Sequence, residues 1–320
     1  MDETSRRIEI FAPFSAALDL TKLILFQPFD ITKWLVLAFA AFLANLGGGG
    51  VNVSSKMPNM NWNFRSSSRD VFEAGSGVPG WVWPLIAIGV VLAIAIVLAL
   101  MWLSARGKFI FADCVVRNRA AIVEPWKEFK REGNSYFLFM LLIGACVLLL
   151  LAIVSSVLWL PLLLNGDVPG GVVFVVGVSL LVIVGIILAM ALSLIANFMI
   201  PVMYRQRCSA RQAFSTTLKL IAAYPGAVVL YLLFSVVLWM AVIAISCVLT
   251  CVTCCIVAIP YVGTVILLPV YVFFMSYLLL FVRQFGPEYD AWTNVVAIEP
   301  PSAPAAPGDL PPPEPPPYQG

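Results

Sequence analysis

The longest stretch of this chain without a charged residue runs from Leu220 to Val282, and a second runs from Val168 to Tyr204. About 20 mostly apolar residues suffice for a helix to cross the hydrocarbon of a bilayer. Runs this long suit neither a soluble core helix nor a single crossing. They suit consecutive membrane helices, whose backbone groups are all bonded internally. Composition agrees: 61% of residues are hydrophobic and 11% charged, against about 45–50% and 25% in soluble domains.

Six spans follow from the apolar segments: Ile31–Leu46, Trp81–Leu103, Tyr136–Leu163, Val172–Tyr204, Ala227–Cys251 and Val265–Val282. The last two share one charge-free run, and Pro260, Tyr261, Val262 and Gly263 mark the bend between them. Sixteen of the 19 Lys and Arg residues fall on one set of alternate connections and three on the other. Cytoplasmic loops carry the positive excess, so both termini are expected in the cytoplasm of a multi-pass cell-membrane protein. Trp81, Trp83 and Trp159 then lie at the outer interface, and Trp34 and Trp102 at the inner one. No cleavable signal peptide is expected, because Arg6, Arg7, Asp19, Lys22 and Lys33 precede the first apolar core.

The expected fold is an all-α bundle of six spanning helices, with short amphipathic interfacial helices on the cytoplasmic face. Three stretches suggest those surface helices: Phe14, Leu18 and Leu25 before Pro28; Ile122, Trp126 and Phe129 before Gly133; Phe214, Leu218 and Ile221 before Pro225. Ser209 and Gln212 have capping-box spacing. Residues 1–298 form the membrane domain, with a flexible external loop at 47–80. The Pro-rich tail, 299–320, is expected to be disordered in the cytoplasm.

The chain has no histidine, which removes the commonest general base and metal ligand. It is therefore read as non-enzymatic, with no catalytic, cofactor or metal site and no cofactor. A net charge of +2 gives no reason to expect nucleic acid. Cys247, Cys251, Cys254 and Cys255 form a stripe that suits helix packing or soft metals. Gly185, Ala189, Ser193 and Asn197 recur every four residues, a spacing that admits a close neighbour. Asn197 requires a buried partner or a watery cavity. Pro201 and Pro269 are helix-kinking positions. Gly47–Gly50 lacks the context of a phosphate loop. Asn52-Val53-Ser54 matches a glycosylation acceptor, and Pro315-Pro316-Pro317-Tyr318 matches a WW-domain ligand; both patterns are short.

Phe26-Gln27-Pro28-Phe29-Asp30, Phe111-Ala112-Asp113, Pro125-Trp126 and Arg283-Gln284-Phe285-Gly286 together resemble uncharacterised bacterial six-helix membrane proteins. More distantly, the layout is similar to the membrane domain attached to some glycerophosphodiester phosphodiesterases. The resemblance spans residues 10–290 and implies a fold and a membrane location, without the activity of the soluble barrel that accompanies that domain.

Function is expected at the inner face. Arg117, Arg119, Lys127, Lys130 and Arg131 are candidate contacts for anionic lipids or a cytoplasmic protein, with Trp126 and Phe129 inserted among headgroups. The other reading of these cations is a pure topology signal. Asp113 and Asn197 are candidate buried polar residues, and Asp113 is expected to pair with Arg106, Arg117 or Arg283. Two functions remain open: a non-enzymatic assembly or regulatory component, or a transporter or lipid-handling protein. Oligomeric state is not legible.

Overall fold

Backbone groups in apolar runs find partners only within their own helix, and the computed structural model, which describes residues 9, 11–46, 82–165, 171–252 and 259–293, is built accordingly. Its helices are α1 (Phe11–Phe26), α2 (Ile31–Asn45), α3 (Val82–Val116), α4 (Val123–Glu128), α5 (Lys130–Asn165), α6 (Gly171–Gln206), α7 (Ala210–Ala223), α8 (Pro225–Val252), α9 (Pro260–Ile266) and α10 (Leu268–Arg283). A 3-10 turn covers Pro287–Tyr289. The expected external loop at 47–80, the tail at 299–320, and Trp81, Cys254 and Cys255 lie outside the described residues.

Local chemistry sets the ends. Asp30 caps α2, its carboxylate accepting from Thr32 N at 2.8 Å. At α7 the capping box forms as its spacing predicts, with Ser209 N donating to Gln212 Oε1 at 3.1 Å. Pro225 and Pro260 stand at the first positions of α8 and α9, where a missing N–H costs nothing. The bend expected at 260–263 is instead helical. The break falls at Leu267, so the predicted sixth span is two helices, and Pro269 starts the second of them rather than kinking one. Pro201 lies inside the unbroken α6.

Among the described residues four helices, α3, α5, α6 and α8, are long and apolar enough to cross a membrane. The other two expected spans, α2 and α10, are shorter apolar helices. At 1.5 Å per residue α2 measures about 22 Å, short of a hydrocarbon core of about 30 Å. It stands beside only one end of α3: Ser104 Oγ donates to the carbonyl of Ala44, and Lys33 Nζ to Asn118 Oδ1 at 2.5 Å. Residues 82–103 of α3 run on for about 33 Å beyond it. A short helix, α1, α4 or α7, stands directly before an apolar helix, α2, α5 or α8.

Packing is concentrated at one end, hereafter the base. The core joins Ala17, Leu20 and Ile24 of α1, Leu37, Ala38, Ala40, Ala41 and Ala44 of α2, Phe109–Ala112 and Cys114–Val116 of α3, Phe198–Ile200 and Val202–Tyr204 of α6 and the buried face of α10. The opposite ends of α3, α5, α6 and α8 expose apolar side chains such as Leu92, Leu149, Ile187 and Met240, the surface a lipid solvent accepts. The tightest seam is α2 against α3. A Cβ added to Gly107 would lie 2.5 Å from the Leu43 carbonyl carbon and 2.6 Å from Ala44 N.

The short helices use different faces from those expected. In α1 the buried set is Pro13, Ala17, Leu20, Thr21, Ile24 and Leu25, while Leu18 is exposed. In α7 it is Ala210, Ala213, Thr217 and Leu220, while Leu218 is exposed. Each helix therefore docks a face that excludes Leu18 or Leu218. Gly133 is no breaker. It lies in the first turn of α5, where a Cβ would come within 2.9 Å of Arg106 Cγ.

Candidate functional site

Two polar places stand out in the bundle: an ion-pair cluster at the base, and a hollow beside Lys108. Asp113, on the last turns of α3, is fully buried. Its Oδ1 accepts from Tyr204 Oη at 2.9 Å and lies 3.0 Å from Arg117 Nε. Its Oδ2 accepts from Arg119 Nε at 3.1 Å and Nη2 at 3.0 Å. Arg119 Nη1 reaches Glu124 Oε2 at 2.7 Å, and Arg117 Nη2 reaches Glu128 Oε1 at 3.0 Å. Arg207, its guanidinium 3.9 Å from the Phe129 ring centroid, also pairs with Glu128.

Three carboxylates thus meet three guanidiniums, joining α3, α4 and the end of α6. Partial burial opposes the charged form of Glu128, but Arg207 and then Arg117 outweigh it and hold its pKa below the ordinary value. A buried carboxylate persists only with such partners. Of the three partners expected for Asp113, only Arg117 is found. Arg283 pairs with Asp290 at 3.1 Å. Arg106 is buried between Trp102 and Trp126, its guanidinium carbon 4.5 and 4.9 Å from the two ring centroids. It donates from Nε and Nη2 to Asn134 Oδ1.

This geometry corrects the expected collar. Arg117 and Arg119 are spent on internal carboxylates rather than presented to lipid. Phe129 is buried, stacked on Tyr204 with centroids 5.0 Å apart, and cannot insert among headgroups. Trp126 is half-buried over Arg106. Lys127, Lys130 and Arg131 are exposed and make no ion pair among the described residues.

A hollow of about 680 Å³ opens beyond the end of α2, between α6, α8 and α10. Its walls are largely apolar, including Ile186, Leu232, Val236 and Phe274. A second hollow of about 490 Å³ adjoins it toward α5. Five residues line both: Asn45, Lys108, Ser193, Asn197 and Trp239. The polar side chains therefore gather where the two hollows meet.

Asn197 is accordingly exposed to this space, not buried. The stripe it belongs to is not a packing seam. A Cβ on Gly185 would meet nothing within 4 Å, and Ala189, Ser193 and Asn197 face the hollow, because the neighbouring helices splay there. Cys247 and Cys251 are exposed on α8 rather than packed. Among the described residues no group of three His, Cys, Asp or Glu is placed to hold a metal ion.

Tyr204 and Glu128 went unpredicted as partners of the base cluster, since nothing in the sequence links residues so far apart. Lys108 stands two positions after Arg106 and just before the apolar Phe109–Ala112, a pattern that does not set it apart from the other inner-face cations. No curated protein and no solved structure matches the chain. The sequence pattern of one family does match, over residues 9–285, and the chain belongs to that family: a family of unknown function, DUF7544.

Proposed function

We propose that this chain is a non-enzymatic, lipid-handling protein of the cell membrane, which receives an amphiphile from the bilayer into the hollow beside α2. The observation that carries this reading is the hollow itself. Its volume lies within the roughly 300–1,000 Å³ of small-molecule sites, and its apolar walls with a few gathered polar groups have their usual character. It sits among helices whose outward faces suit lipid, so an acyl chain needs no aqueous step to reach it.

We place six crossings in the bilayer, with both termini cytoplasmic. Chain continuity supports the count. Glu9 and Gln284 exchange two backbone–amide hydrogen bonds of 2.9 Å at the base, while α3 begins at the opposite end. That arrangement supports one crossing before α3 and another between α8 and Gln284. Short α2 and α10 serve as those crossings by thinning the bilayer locally. The exposed Leu18 and Leu218 and the free cations Lys127, Lys130 and Arg131 suit α1, α7 and the start of α5 to the cytoplasmic headgroup layer.

The test is mass spectrometry of protein purified in mild detergent, comparing wild type with Ala189→Phe, which fills the hollow from α6. Wild type should retain lipid at a fixed stoichiometry through extended washing, and the folded variant should lose it. Equal retention by both, or none by wild type, would refute the proposal.

A further inference from the structure

Lys108 is a cation at the junction of two hollows, and it has no carboxylate within ion-pair distance among the described residues. Its Nζ donates to Tyr136 Oη at 3.3 Å and stands 5.3 Å from the centroid of that ring. The Tyr136 hydroxyl in turn donates to the carbonyl of Ala196 at 3.4 Å. A lysine near a helix end often reaches outward to the headgroup layer. This one instead crosses from α3 toward α5 and ends among the residues that bound the second hollow. A neutral phenol and its ring are weak compensation for a half-buried ammonium ion. Five other cations near the base have stronger arrangements: Arg117, Arg119, Arg207 and Arg283 have carboxylates, and Arg106 has two indoles and an amide oxygen.

Around Lys108 stand Asn45, Ser193 and Asn197, all lining both hollows. Asn45 turns its amide nitrogen back onto the carbonyl of Ala41. The Ser193 hydroxyl and the Asn197 amide are donors on the walls that Lys108 shares. Apolar walls extend from this point in the larger hollow, along Ile186, Met190, Val236 and Phe274. An ionisable residue inside a membrane bundle that lacks a protein counter-ion marks a place for a charged ligand.

We propose that the amphiphile is anionic: Lys108, with Ser193 and Asn197, holds the phosphate of an anionic phospholipid from the surrounding bilayer, and the larger hollow takes an acyl chain. The inference rests on the lipid-handling reading above and adds the sign and location of the headgroup contact. It also gives the α6 stripe of Ala189, Ser193 and Asn197 a role, as the wall along which the lipid lies.

The experiment uses the full chain in nanodiscs of defined composition. Phosphatidylglycerol and phosphatidylcholine with the same acyl chains are supplied as probes, and bound lipid is read by native mass spectrometry. Wild type should prefer phosphatidylglycerol by about tenfold, the factor that 1.4 kcal/mol represents. Lys108→Met keeps the stem of the side chain and should abolish the preference. Lys108→Arg should keep most of it, which separates loss of charge from loss of folding. Lys22→Met, at an exposed cation of α1 whose neighbour is Asp19, should leave the preference intact. A preference unchanged in folded Lys108→Met would overturn the assignment, as would equal loss in Lys22→Met. If wild type binds both lipids tightly and equally, the anionic assignment falls while the lipid-handling reading stands. If wild type holds neither beyond the bulk lipid, the lipid-handling reading itself falls, and this inference with it.

Discussion

Replacing Asp113 by Asn removes one negative charge and almost no volume from the centre of the base. The carboxylate is fully buried, while Arg117 and Arg119 keep about a quarter of their side-chain surface exposed. Removing one partner of a buried ion pair costs about 3–5 kcal/mol, because the other charge is left uncompensated. Here Arg117 retains Glu128 and Arg119 retains Glu124, and both reach solvent, so the low end, about 3 kcal/mol, is expected. For a chain of 320 residues that corresponds to a fall in melting temperature of roughly 4–5 °C. Unfolding in detergent is seldom reversible, so wild type and variant are to be compared at one scan rate. Tyr204→Phe gives the internal comparison. It leaves all six charges and removes one hydrogen bond to a charged acceptor, about 1.5–3 kcal/mol. The Asp113→Asn fall should be the larger of the two. A fall well short of the roughly 4–5 °C expected, about one degree or less, would mean that the cluster does not hold the base together.

Two further outcomes follow from the packing and the charges. Gly107→Ala drives a methyl group into the backbone of Leu43 and Ala44, and overpacking of this kind costs about 1–3 kcal/mol or more; Gly185→Ala, which meets nothing within 4 Å, should leave the melting temperature unchanged or slightly raised, and equal effects at the two sites would refute the close seam of α2 on α3. The depressed pKa of Glu128 means that its contribution to stability is complete above the ordinary glutamate value of 4.5 and disappears as pH falls through the lower, folded-state value; the stability gap between wild type and Glu128→Gln should therefore be constant near neutrality and close on acidification, and a gap that widened in acid would reverse the assigned sign.

Four short phrases of the sequence, 26–30, 111–113, 125–126 and 283–286, build the base. Asp30 caps α2, Asp113 centres the ion pairs, Trp126 covers Arg106, and Gln284 ties the end of α10 to Glu9. Their neighbour Gly286 sits at φ +153°, in a region that L side chains avoid, as the chain turns from α10 into the 3-10 turn. Sequence was enough to find such residues, because capping, turning and charge are properties of a few adjacent positions. It was not enough to say which cation meets which acid. Arg106, Arg117 and Arg119 look alike in sequence, yet the first lies between two indoles and the others on carboxylates.

What the sequence determined by itself is the helical class, the four long apolar helices and the start of α7, because hydrophobic run length and local hydrogen bonding are written along the chain. Tertiary structure decided the rest. The stripe from Gly185 to Asn197 has the spacing of a packing seam, but whether a neighbour fills it depends on how α6 and α8 splay, which no local pattern records. The real seam lies at Gly107, a single glycine whose meaning appears only when Leu43 stands against it. Likewise Lys108 reads as one more charge after an apolar run until the helices around it leave a hollow at its tip. Burial, ion pairing and cavities are relations between residues distant in sequence, and only the packed chain brings their partners together.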